Sequence, residues 1–232
     1  MSMPRYVDHD ARRRHIAATA AELVGTRGLE ALTFRNVAEA AGSSTTVLTH
    51  YFADKRDLLQ STFEAVAERS GARFDEAQRH GGGLRECLEA LLPLDPERQT
   101  EWRLLTCYWG MAVSDPNLAN AQARHVRSAQ RRIESLLRQY SQLAGIEPEV
   151  VARRLVTLVH GLGAHSALDP GHWSPAEQRR VLADELGSLG GPVKRAGTAR
   201  GAATRRLRKE ILAAIKQGPS PAPRRRRRPF SA

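Results

Sequence analysis

The sequence predicts an all-α protein, on three observations. Apolar residues recur at helical spacing through most of the first 190 positions. Helix starts of the acid-Pro or Ser-Pro type recur at Asp95-Pro96, Asp115-Pro116 and Ser174-Pro175. No stretch keeps the alternation of a half-buried strand. At 232 residues the chain has ample length for a buried core in one large or two small domains. Its 41% hydrophobic and 26% charged residues are ordinary for a globular protein. The uncharged run from Leu104 to Val113 is ten residues long, well short of the roughly 18 that a membrane span needs.

Taken in order, Asp10 to Arg27 reads as a first helix with Ile16, Ala20, Leu23 and Val24 on one face, ended by Gly28. The charges at Arg5, Asp8, Asp10 and Arg12 to Arg14 argue against a signal peptide. Arg12, Arg13 and Arg14 oppose the helix dipole. They form either a solvated turn or a row of cations beside a DNA backbone. Thr33 is expected to cap a second, short helix that buries Val37, Ala38 and Ala41. Gly42 then stops it in a left-handed turn. Ser43 or Ser44 caps a third helix, with Leu48 and Phe52 inward and Thr45, Thr46, Thr49 and His50 outward. Two short helices joined by a tight Gly turn make a helix-turn-helix, which presents its second helix to a DNA major groove. The outward residues are small or hydrogen-bonding and none is acidic, as a DNA-facing surface requires.

Residues 10 to 58 resemble the N-terminal domain of the TetR/AcrR family of transcriptional regulators. The resemblance rests on Thr33, Arg35, the Val-Ala-Glu-Ala-Ala-Gly run, the His50-Tyr51-Phe52 triplet, Lys55 and Leu58-Leu59. Ser43 and Thr49 depart from it, standing where the family places an apolar turn residue and often a phosphate-touching aromatic. The resemblance implies that Arg35, Ser44, Thr45 and Thr46 serve the DNA surface. Arg35 has the fork geometry that reads guanine O6 and N7. Thr33, Thr49, His50, Tyr51 and Lys55 would hold phosphates. The alternatives are a surface salt bridge for Arg35 and a packing role for Tyr51.

Asp54 is expected to cap a long helix reaching Arg79, with Asp57 as reciprocal partner. Leu58, Leu59, Phe63, Val66 and Phe74 face inward, and Gly81-Gly82-Gly83 breaks the helix. Further helices follow at Leu84–Leu92, after Asp95-Pro96, and between Asp115-Pro116 and Gly145. The second of these carries Trp102, Leu104, Leu105, Tyr108, Trp109 and Met111. The third turns Val126, Ile133, Leu136, Leu137, Tyr140 and Leu143 inward. The most apolar helix runs from Glu149 to Leu168 and stops at Asp169-Pro170-Gly171. Ser174-Pro175-Ala176-Glu177 reads as a full capping box for a last helix ending near Leu189. The Leu-Leu-Pro-Leu-Asp-Pro-Glu-Arg run, Glu101-Trp102 and Leu168-Asp169-Pro170-Gly171 are similar to the BetI-like C-terminal domain of the same family. That similarity implies an effector-binding and homodimerisation domain, paired through its last two helices.

The resulting division is a helix-turn-helix DNA-binding domain at 1–56, a helical effector and dimerisation domain at 57–190, and a basic tail at 191–232. From Lys194 onward the chain has 13 Lys or Arg and one acid, a net of +12, so the net charge of +11 belongs to the tail and the rest of the chain is nearly neutral at −1. The tail contains a candidate basic helix at Thr204–Lys216 and a Pro/Ser linker. Arg224 to Arg228 is either a phosphate-attracting polycation or a solvated run. Residues 1–56 hold 8 bases and 6 acids, so the head is not a strongly basic patch. Positioned contacts and pairing must supply much of its affinity.

Phe63, Trp102, Tyr108, Trp109, Met111 and His160, with His165, are the candidates for a ligand pocket, or else ordinary core. Gly161 and Gly163, within an apolar helix, imply close approach of a partner helix or a ligand, with the dimer interface favoured. Cys87 and Cys107 show neither a disulfide framework nor metal-ligand spacing. There is no phosphate loop, nucleophile elbow or zinc motif, so no enzyme activity and no cofactor are expected. The expected function is a cytoplasmic, bacterial, ligand-responsive repressor that binds a pseudo-palindromic double-stranded DNA operator as a dimer. The alternative is a sequence-tolerant, basic-tailed DNA-associated protein without an effector.

Overall fold

The computed structural model of the chain describes residues 9–140 and 147–189. Among them there is no strand. The elements are α1 (His9–Arg27), a 3-10 turn (Leu29–Ala31), α2 (Phe34–Ala40), α3 (Thr45–Tyr51), α4 (Lys55–Arg79), α5 (Leu84–Glu89), α6 (Pro96–Ala112), α7 (Pro116–Leu137), α8 (Pro148–Leu168) and α9 (Pro175–Ser188). Leu143, Gly145 and the whole basic tail, with its candidate helix at 204–216, lie outside the described residues.

The helix starts follow from local chemistry. The side chains of Thr33, Ser44, Asp54, Asp95, Asp115 and Ser174 each accept a backbone N–H two or three residues on. Those amides have no partner within the helix, which is why these residue types sit there. Pro96, Pro116, Pro148 and Pro175 occupy first helical positions, where a missing N–H costs nothing. Gly42 adopts φ +57° between α2 and α3, and only glycine takes that conformation without strain.

Three expectations change in detail. The helix expected at Leu84–Leu92 ends at Glu89 and continues as a turn, because Leu92 precedes Pro93, which disfavours helical backbone before it. At Ser174 only half of the capping box forms. Its hydroxyl accepts from the Glu177 amide at 3.4 Å, whereas the Glu177 carboxylate is taken by Arg180. At the start of α4, Asp54 accepts from the Asp57 amide at 2.8 Å, but Asp57 accepts from Ala53 rather than from Asp54.

One core runs without a break from α1 to α9. α1 lies across α4 and α6, and α6, α7 and α8 pack on one another. The boundary expected at 56/57 falls in the first turn of α4. Gly25 of α1 makes the junction with α6 possible, since a Cβ there would stand 2.2 Å from the Thr100 side chain. Beside that seam Glu101, 3% exposed, is bound by Arg69 at 3.0 Å and by Arg73, both from α4. A lone buried carboxylate would be costly, so the two cations fix α4 against α6.

Candidate nucleic-acid interface and interhelical cavity

α3 is amphipathic in the way its sequence requires. Leu48 is fully buried and Phe52 caps the inner face, while Thr45, Thr46, Thr49 and His50 are exposed. Ser44 is exposed, but its hydroxyl is committed to the Val47 amide at 3.2 Å. The Thr49 hydroxyl donates back to the Thr46 carbonyl at 2.9 Å. Thr33, also exposed, accepts from the Asn36 amide. Arg35 and Lys55 are exposed and make no hydrogen bond or ion pair among the described residues. The salt bridge weighed as an alternative for Arg35 is therefore absent there. Tyr51 is half-buried against the core and sits beside the His9 and His50 rings at 5.6 and 5.5 Å.

Two features of this end were not evident from the sequence. Val47 is an exposed apolar side chain on α3, where a thymine methyl would be its natural partner. Arg13 is not a free cation for a DNA backbone. Its guanidinium donates to the Tyr51 carbonyl at the end of α3, and to Asp57 and Ser61 of α4 at 2.6 Å each. It also lies 4.5 Å from the Phe52 ring centroid. Arg13 thus pins the end of α3 to α1 and α4.

Between α4, α6, α7 and α8 lies a narrow, partly open cavity. α4 contributes Phe74 beside Ser70 and Gly71, and α6 contributes Trp102 and Leu105. α7 offers the helical stripe His125, Ala129 and Arg132, and α8 offers Val159 and His160. The cavity is narrow, about 30 Å³, and as it stands holds about two water molecules. Trp102 donates from Nε1 to the Leu91 carbonyl at 3.0 Å, so its ring faces rather than its N–H line the space. Trp109 packs against both Trp102 and His160, at 6.0 and 5.4 Å between centroids. His125 and His160 are nearly parallel, 6.4 Å apart. Burial lowers the pKa of both, that of His160 to about 4, and Arg132 lowers His125 further. Both imidazoles are therefore neutral at pH 7.

Of the residues singled out from sequence for a pocket, Trp102 and His160 line this cavity, and Trp109 backs them. Phe63 and Tyr108 are core instead: their rings stack at 4.1 Å and the Tyr108 hydroxyl donates to Leu118. Met111 and His165 are exposed and lie outside the cavity. His125 and Arg132 were missed, since they stand in a helix that reads as mostly polar. Gly163 also departs from expectation. A Cβ there would stand 2.3 Å from the Trp102 ring, so this glycine makes room within the subunit rather than for a partner. Gly161 has open space before it and borders a surface groove between α8 and α9, with Leu158, Leu162, Trp173 and Val181.

Comparison with known proteins agrees with this arrangement at both ends of the chain. Residues 16–62 match the model of the bacterial regulatory proteins of the tetR family. Residues 82–191 match that of the C-terminal domain of BetI-type transcriptional repressors. The HTH-type transcriptional regulator PksA of Bacillus subtilis is 29% identical over 192 residues, spanning 81% of this chain and 94% of that protein. BetI of Stenotrophomonas maltophilia is 24% identical over 188 residues, spanning 77% and 93%. A crystal structure of a Rhodococcus transcriptional regulator shares the fold at TM-score 0.68 and 24% identity, covering 76% of this chain and 95% of that one. A Saccharomonospora viridis regulator solved with choline shares it at TM-score 0.61 and 24% identity, again covering 76% and 95%. Matched over both its helix-turn-helix and its C-terminal body, the chain belongs to the TetR family of transcriptional regulators.

Proposed function

We propose that this regulator is a ligand-responsive repressor that binds a pseudo-palindromic operator as a homodimer. The observation that carries the reading is the outer face of α3. Thr45, Thr46, Thr49 and His50 are exposed there without an acid among them, and Arg35 and Lys55 are free of partners among the described residues. Arg35 and Thr46 would read bases, while Thr33, Thr49, His50, Tyr51 and Lys55 position the phosphates. In this division residues 1–56 form the DNA-binding head, 57–190 the effector and pairing body, and 191–232 a basic tail. Pairing would use the groove between α8 and α9, whose apolar floor and open Gly161 suit an approaching helix. Two heads would then enter successive major grooves about one helical turn apart.

The narrow cavity supports the ligand response. A ligand larger than about two waters has to part α4, α6, α7 and α8. α1 rests on α4 and α6, so the heads would move with them. Such a ligand binds the two shapes unequally, which is the thermodynamic requirement for a switch.

Footprinting on the flanking DNA of the gene, with the wild type and with Arg35→Ala and Thr46→Ala, tests the proposal. A bounded, symmetric footprint that loses sequence preference in both variants is expected, together with a dimer in analytical ultracentrifugation. The reading fails if the protein is a lone subunit or if both variants keep the wild-type preference. The 13 Lys and Arg residues from Lys194 onward favour a second reading, a sequence-tolerant DNA-associated protein. Diffuse, salt-sensitive coverage abolished by removing residues 191–232 would select it.

A further inference from the structure

The wall of the cavity has one sign of charge. Arg132 is its one ionised lining residue, and no carboxylate lines it among the described residues. Arg132 reaches across α4 because Gly71 leaves room, a Cβ there standing 3.0 Å from the guanidinium carbon and from Nη2. Nε donates to Asp75 at 3.1 Å and Nη1 to Ser128 at 3.0 Å, while Nη2 makes no hydrogen bond among the described residues. Asp75 is 48% exposed, so water screens much of its hold on the cation. The rest of the wall is flat and apolar, with the Trp102 ring, Phe74 and two neutral, parallel imidazoles.

We propose that the cavity selects a small carboxylic acid with a flat apolar body, its carboxylate on Arg132 and its body against Trp102, His125 and His160. The assignment rests on the effector role proposed above. A guanidinium with a free N–H is shaped for a carboxylate, and the Arg132 side chain, 39% exposed, stands where a ligand can reach it from solvent. A quaternary ammonium, which aromatic walls alone would welcome, meets the same guanidinium, and the half-exposed Asp75, which pairs with Arg132 but does not line the cavity, offsets only part of the repulsion. Selectivity by sign of charge therefore follows from Arg132 together with a lining that holds no carboxylate among the described residues. Because the helices have to part to admit even one ring, a small flat body is favoured over a bulky one.

The test uses the full chain and three probes of one shape: benzoate, benzamide and benzylammonium. Binding is followed by tryptophan fluorescence and by thermal shift. Benzoate is expected to bind at least tenfold more tightly than benzamide, and benzylammonium not at all. Arg132→Gln should weaken benzoate by about tenfold to a hundredfold and leave benzamide unchanged. Gly71→Ala, which displaces the guanidinium without deleting it, should weaken benzoate in the same direction, with circular dichroism confirming that both variants fold. The proposal is overturned if benzylammonium matches benzoate, if Arg132→Gln leaves benzoate affinity intact, or if benzoate does not bind at millimolar concentration. DNA release separates it from the reading beneath it. Release by benzylammonium would keep the effector role and discard the acid. Arg132-dependent benzoate binding with unchanged DNA affinity would keep the acid and discard the effector role.

Discussion

Adding a single methyl group at Gly163 tests how the cavity wall is built. The new Cβ would stand 2.3–2.4 Å from three atoms of the Trp102 ring, more than 1 Å inside the ~3.5–4.0 Å of an ordinary carbon contact. The ring has little freedom to yield. It is 5% exposed, its Nε1 is bonded to the Leu91 carbonyl, and Trp109 and His160 abut it. Overpacking of this kind costs about 1–3 kcal/mol, and loss of the indole hydrogen bond adds about 1 kcal/mol. Replacing glycine by alanine in a helix returns up to about 1 kcal/mol. Gly163→Ala is therefore expected to lose about 1–3 kcal/mol, read by urea unfolding under conditions that keep subunit concentration fixed. Trp102→Leu should remove most of that penalty in the double variant, giving a coupling free energy above the roughly 0.5 kcal/mol expected of independent sites. Gly161→Ala, two residues away with nothing within 4 Å, should cost the subunit nothing. A Gly163→Ala protein as stable as the wild type, or one whose penalty is untouched by Trp102→Leu, would refute the packing argument.

Arg13→Ala removes the fastening of α3 and is expected to cost about 2 kcal/mol. It should also weaken DNA binding more than Arg14→Ala, whose side chain is exposed; gel shift and thermal melting give both numbers. Acid should destabilise the protein through His160. With a folded pKa of about 4, below the ordinary 6.5, the unfolded chain takes up the proton first. Stability is then lost as pH falls from about 6.5 towards 4, by roughly 3 kcal/mol for this one group. His160→Gln should flatten that part of the stability–pH curve, and an unchanged curve would remove His160 from the account.

The parts of the fold that were legible in the sequence are those set by neighbours a few residues apart. Thr33, Ser44, Asp54, Asp95 and Asp115 each cap the helix expected of them, because a capping bond spans two or three positions. The outward face of α3 was legible for the same reason, being fixed once Leu48 and Phe52 turn inward. Arg13 was not, since its partners lie 38 to 48 residues away. The cavity was only partly legible. Periodicity selects aromatic residues but not which face of α6 meets α8, so Trp102 and Met111 looked alike while one lines the cavity and the other is exposed. His125 and Arg132 became visible only when α4 and α7 were placed side by side.

The tightness of the cavity also has a consequence in time. If a molecule must wait for the helices to breathe apart before it enters, the rate of loading levels off as its concentration rises, at the frequency of that opening. Under the proposed ligand response, such a regulator would ignore brief pulses of its ligand and, once loaded, release it slowly.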